Sequence, residues 1–207
     1  NDSPVERFRK LRESERGWDS STWAQMGEMG WLGVPFPEQH GGFGGRFVDL
    51  ALILEQLGRG LVPAPLIPSV VLAGGLLSRL GNDAQREAFL LPMIEGRTSL
   101  ALAYAERQSR YDLADCRTTA KKSGAGWVLD GDKTWVLNGH AADHIVVVAR
   151  TGNGPRDAQG LSLFVVDGGA KGLSRIRVPG MDGQRTALVH LRGVEVGADR
   201  LLGIEGG

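Results

Sequence analysis

Trp127-Val128-Leu129-Asp130-Gly131-Asp132-Lys133-Thr134-Trp135-Val136-Leu137 carries a strong local fold signal. Short β-type runs flank Asp130-Gly131, a pair that readily takes the positive φ needed at both central positions of a type I′ turn. The pattern predicts two strands, Trp127 to Leu129 and Lys133 to Leu137, joined as a hairpin. On either side the same period of two predicts strands at Leu100 to Tyr104, Arg117 to Lys121, His144 to Ala149, Leu161 to Val166, Leu173 to Val178 and Ala187 to Leu191, separated by Gly, Asp and Asn. Residues 98–207 are therefore expected to form an antiparallel β-barrel.

Before Gly96 the apolar spacing changes to three and four, which predicts helices. Val5 to about Arg16 reads as a charged surface helix, and Ser20 or Ser21 as the cap of a second that carries Trp23 and Met26 on one face. Phe47 to Leu57 is apolar enough to read as a buried helix. Ser69 to Leu80 and Asp83 to Ile94 complete the set, with Asn82 as N-cap and Gly81 closing the helix before it. The expectation is an α+β chain in two units, a helical one over 1–97 and the barrel over 98–207.

Composition narrows the function classes. Twenty-four Lys plus Arg balance 24 Asp plus Glu, so the chain lacks the charge of a nucleic-acid binder. The single Cys116 excludes a disulfide framework or multi-cysteine metal site, and reads as a small buried hydrophobe. No apolar run reaches a membrane-spanning length and the N-terminus has no signal-peptide pattern, so a cytoplasmic location is expected. The 31 glycines include Gly41-Gly42-Phe43-Gly44-Gly45, whose spacing fits neither a dinucleotide nor a phosphate loop and reads as a turn. His140 and His144 are four apart but lie in a turn entering a strand with no third ligand, so no metal is expected. His40 and His190 have no carboxylate or nucleophile placed by the sequence, and surface or packing roles are expected.

The informative constellation is Ala103-Tyr104-Ala105-Glu106, then Arg110-Tyr111-Asp112, then Lys133-Thr134-Trp135-Val136-Leu137. A strand running into a loop beside a strand that carries Trp can make a wall of backbone donors with one aromatic surface, which suits a flat conjugated ligand. A Trp packed in the core is the commoner outcome, and these residues alone leave both readings open.

At this point the order of motifs is itself informative. Trp23, Gly27-Glu28-Met29-Gly30-Trp31-Leu32-Gly33-Val34-Pro35 and Gly41-Gly42-Phe43-Gly44 resemble the N-terminal signature of the acyl-CoA dehydrogenase family. Trp127 to Trp135, Ala142 to Arg150, Leu161 to Val166, Gly183-Gln184-Arg185 and Val194 to Gly203 follow in the family's order. The resemblance implies a helical domain, a middle β-barrel and a C-terminal four-helix domain that this chain lacks. It further implies FAD as cofactor and α,β-desaturation of an acyl-CoA thioester, with hydride passing to FAD. The catalytic base is expected in the absent domain, so no residue here is expected to be catalytic. Tyr104, Ala105, Trp135, Val136 and Leu137 would be the cofactor contacts, and Arg110 and Tyr111 substrate contacts. Arg110 could meet a distal carboxylate or the CoA phosphates, or simply be a solvated surface Arg.

The chain departs from the family pattern at informative positions. Ala105 aligns with the family's Thr, Arg110-Tyr111 with its Gly-Ser, and Leu137 with a Ser or Thr. Two side-chain hydroxyls are thereby lost, each worth about 0.5–1.5 kcal/mol as a hydrogen bond. In this the chain looks most like the small subunits of heteromeric, pimeloyl-CoA-type dehydrogenases. Expected partners are an electron-transfer acceptor and further subunits in a homodimer, homotetramer or heterotetramer. The alternatives are a structural subunit completing a partner's active site, or a flavin-dependent monooxygenase of the same fold.

Overall fold

A computed structural model describes residues 5–207; residues 1–4, the start of the expected 1–97 unit, lie outside the described residues. Asp19 sits just ahead of helix α2 (Ser20–Glu28), and its carboxylate accepts the N–H groups of Ser21 and Thr22. The cap is thus Asp19, not Ser20 or Ser21. Helix α1 (Val5–Glu13) ends before Arg16 and buries none of its residues. Trp23 and Met26, three apart on α2, face the core. The 41–45 loop folds back as a turn, with the N–H of Gly44 on the Phe36 carbonyl and that of Gly45 on Val34.

Helix α3 (Phe47–Arg59) corrects the expectation of a buried helix. Only Leu50 is buried, while Phe47, Val48 and Leu52 are exposed, because neighbouring segments cover a single stripe of it. A π-helical segment, Ile67–Gly74, runs into α4 (Gly75–Leu80). Then α5 (Asp83–Gln85), a second π-helical segment and α6 (Leu91–Ile94) follow, with Asn82 capping as expected.

The strands are β1 (Leu100–Ala103), β2 (Thr119–Ser123), β3 (Gly126–Leu137), β4 (His144–Arg150), β5 (Leu161–Asp167), β6 (Leu173–Pro179), β7 (Arg185–Gly197) and β8 (Leu201–Leu202). Two expectations fail here. Asp130-Gly131 is not a hairpin turn: β3 runs straight through it, and the tight turn lies at Gly124-Ala125, where β2 meets β3. Nor is there an antiparallel barrel. The order is β6-β7-β3-β2-β4-β5-β8, open at both ends, and β1 lies parallel to β4, as does the β2 contact at Thr119 and Arg150. β1 enters from the helices and reaches β4 by a long connection, which is what parallel pairing requires.

Side-chain alternation along β1, β4 and β5 builds two cores. Leu100, Val146 and Val165 face the helices, packing with Trp23, Met26, Leu90 and Met93. Ala101, Ile145, Val147, Phe164 and Val166 point the other way, toward Leu129, Val136, Val189 and Leu191. Polar clamps join the layers: Trp23 Nε1 donates to the Thr98 carbonyl at 2.9 Å, Trp18 Nε1 to Asn138 Oδ1 at 3.0 Å, and Ser69 Oγ exchanges bonds with the Leu100 backbone. Among the described residues no helix is long and apolar enough to cross a membrane.

Candidate functional site

β3 departs twice from regular pairing with β7. Leu129 and Gly131 face Val194 and Leu191, so the first extra residue lies on β7, where Gly193 takes φ 62 and its N–H donates to Asp130 Oδ1. Lys133 and Val136 face Val189 and Ala187, so the second lies on β3. The face a strand residue points to follows parity, and an unbroken β3 would put Trp135 on the same face as buried Lys133. The bulge reverses this. Val136 turns into the core, while Trp135, at φ 53, stands 63% exposed.

Trp135 lines a cleft of about 850 Å3 together with Arg107, Arg117, Leu188, His190 and Arg192. Tyr104 and Ala105 lie beside it, because the Thr134 N–H donates to the Ala105 carbonyl at 2.9 Å. Tyr104 is exposed, Ala105 and Leu137 are half-buried, and Val136 is buried, its carbonyl accepting the Gly139 N–H. Arg110 and Tyr111 are not among the residues lining this cleft. They project from a loop held by the paired Glu106 and Ser109 bonds, by Arg150 Nη2 on the Ala114 carbonyl and by the Arg156–Asp115 ion pair. Tyr111 is fully exposed there, and Arg110 adopts φ 49.

At the inner wall lies a buried ion pair that the sequence reading did not single out. Lys133 Nζ is 2.8 Å from Glu106 Oε1 and donates also to the Tyr104 carbonyl at 3.3 Å. The Glu106 carboxylate also accepts the N–H groups of Arg117 and Thr118 and Gln108 Nε2. Burial raises the Glu106 pKa, but the Lys133 charge and these hydrogen bonds outweigh it and hold the carboxyl at about 2. Cys116 is buried as expected, yet it packs against this polar pair, with Sγ 3.4 Å from Glu106 Oε1; burial pushes its thiol up. The signal was present in the sequence: Lys133 occupies an inward position of a strand, where a cation must find a partner.

His190 has a carboxylate partner at the surface that the sequence did not place. Its Nδ1 is 2.5 Å from Asp132 Oδ1, a cross-strand pair in the β3–β7 register that Arg192 joins at 2.6 Å. His140 and His144 serve different partners, Nε2 of the first meeting the Arg16 carbonyl and Nδ1 of the second Asp167. His40 Nδ1 lies 3.2 Å from Ser78 Oγ.

Comparison with known proteins now decides the family. Residues 3–97 match the model of the acyl-CoA dehydrogenase N-terminal domain, and residues 101–194 that of the middle domain. The chain belongs to the acyl-CoA dehydrogenase family. It is 34% identical to the mitochondrial long-chain specific acyl-CoA dehydrogenase of Rattus norvegicus over 88% of this chain and 44% of that one. Among solved structures it is similar to a Tcur3481-Tcur3483 steroid ACAD G363A variant, with a TM-score of 0.84 and 32% identity over 97% of this chain and 52% of that one. The ChsE4-ChsE5 complex from Mycobacterium tuberculosis gives a TM-score of 0.84 at 27% identity, with 97% and 52% covered. The chain spans about half the length of the curated relatives it matches. In this acyl-CoA dehydrogenase chain, Arg110 stands where the resemblance puts glycine, and it keeps a left-handed backbone that suits glycine.

Proposed function

We propose that this chain forms the helical (1–97) and sheet (98–207) parts of an FAD-dependent acyl-CoA dehydrogenase that introduces an α,β double bond into an acyl-CoA thioester. The observation that carries the reading is Trp135, a large aromatic turned out of the core onto the wall of a cleft rimmed by arginines. An exposed indole face beside the backbone of Tyr104 and Ala105 fits a flat ring system, and Arg107 and Arg117 favour an anionic ligand. Trp135 would carry the flavin ring, with Tyr104, Ala105 and Leu137 around it and buried Val136 backing the strand behind it. FAD, when bound, supplies the acceptor for the hydride lost from the β carbon. The chain's own residues orient that ring and keep water from one face of it, while the base that takes the α proton comes from outside the two matched regions. Arg110 and Tyr111, projecting from a firmly held loop, would contact the acyl-CoA, the guanidinium meeting a phosphate or distal carboxylate. The setting is cytoplasmic, and electrons leave to a protein acceptor.

A second reading has its own support. Ala105 and Leu137 put apolar side chains where hydroxyls are expected, and two structurally similar proteins carry two-component names. On that reading the chain completes the active site of a partner subunit in a heterotetramer, in place of a homodimer or homotetramer. The whole protein, purified alone and with a co-expressed dehydrogenase partner, separates the two. A flavin spectrum bleached by acyl-CoA in the protein alone supports the first, and the same only in the complex supports the second. Neither spectrum nor acyl-CoA-dependent dye reduction in either preparation contradicts both.

A further inference from the structure

We propose that Lys133, through its ion pair with Glu106, is a positioning residue that holds the β3 bulge and so decides which face of the sheet Trp135 occupies. Lys133 stands at an inward position, opposite Val189 and in the layer that also holds Leu129 and Leu191, and it is 1% exposed. An ammonium group in such a layer must have its charge met. Its oxygen acceptors, Glu106 Oε1 and the Tyr104 carbonyl, belong to the segment that follows β1, not to β7. The next residue does the same: the Thr134 N–H donates to the Ala105 carbonyl. Three consecutive bonds therefore pull β3 toward residues 104–106 at the place where its pairing with β7 is interrupted.

The anchoring segment cannot follow β3 if it shifts, because Glu106 is fixed from behind by the N–H groups of Arg117 and Thr118 and by Gln108. A one-residue change of register flips every side chain beyond it to the other face. Without the anchor, regular pairing would carry Trp135 inward and Val136 outward. Fixing register is the best-attested use of a buried polar pair, whose net contribution to stability is often small. The orientation of Trp135 is argued from this geometry alone; its consequence for a flavin ring rests on the function proposed above.

The test uses acrylamide quenching of tryptophan fluorescence, taking the Trp135 part as the difference between a protein and its Trp135→Phe counterpart. In the whole protein stripped of flavin this part is large, since Trp18, Trp23 and Trp127 are buried and Trp31 is half-buried. The double variant Lys133→Met/Glu106→Gln removes both charges and strands neither. The expected result is a several-fold fall in the Trp135 part with the circular dichroism of the fold retained. A folded double variant whose Trp135 is quenched as before overturns the proposal. Should the double variant not fold, Glu106→Gln alone is followed by amide exchange. Exchange at Thr134 about tenfold faster than in the parent, with Leu129 and Leu191 unchanged, supports the anchor, and equal rates at all three overturn it. FAD affinity is measured separately: an inward Trp135 with undiminished flavin binding supports the anchor and contradicts the flavin reading alone.

Discussion

Arg110 holds φ 49 without the freedom of glycine, on a loop that fixes its neighbours on both sides. A left-handed conformation costs an L-residue about 1–2 kcal/mol, so Arg110→Gly is expected to stabilise the protein by about 1 kcal/mol in urea unfolding. If the side chain serves the substrate, the same variant raises KM for acyl-CoA. Trp135 gives a complementary contrast. Because it is exposed, Trp135→Ala is expected to leave stability within about 0.5 kcal/mol, whereas Trp23→Ala, emptying a core site, costs about 3–5 kcal/mol. The sequence made Trp135 conspicuous but could not give its direction. Period two points it inward with Lys133, and only the bulge, held by contacts some thirty residues away, turns it out.

At the scale of elements, glycines with ordinary backbone show where packing overrides propensity. Gly27 lies in α2 where a Cβ would run into the backbone of Glu95 and Gly96, while Gly58 in α3 faces open space. Gly27→Ala is expected to lower stability by about 1–3 kcal/mol and Gly58→Ala to raise it by about 0.5–1 kcal/mol, both measurable by thermal unfolding. Helix positions and most strands were legible because local spacing and caps govern them, as at Asn82. The Asp130-Gly131 pair misled because positive-φ chemistry is shared by turns and bulges. Here Gly131 passes close to Thr118, Gly193 on β7 supplies the kink, and the turn belongs to Gly124-Ala125. Likewise α3 read as buried because composition reports how apolar a helix is, not how many of its faces are covered.

Across the whole molecule, the mixed, open sheet was not legible because strand order depends on which distant edges meet, and the β2–β3 hairpin lies between β1 and its partner β4 in sequence. The Glu106–Lys133 pair ties these pieces together, and its titration shows at the level of global stability. The Glu106 pKa is lower in the folded chain than in the unfolded one, so its contribution is complete above its ordinary 4.5 and is lost as pH falls toward about 2. Stability in urea unfolding should therefore fall more steeply between about pH 4.5 and about pH 2 for the parent than for Lys133→Met/Glu106→Gln. Lys133→Met alone leaves a buried carboxylate unpaired and is expected to cost about 3–5 kcal/mol. The outward Trp135 is proposed as a flavin platform. FAD titration of the whole protein, in the oligomer it forms, against its Trp135→Ala variant tests it most directly. The claim predicts a perturbed flavin absorption band in the parent and at least about tenfold weaker binding in the variant, a loss of about 1.4 kcal/mol. Equal affinity and an unchanged band in the two proteins would contradict it.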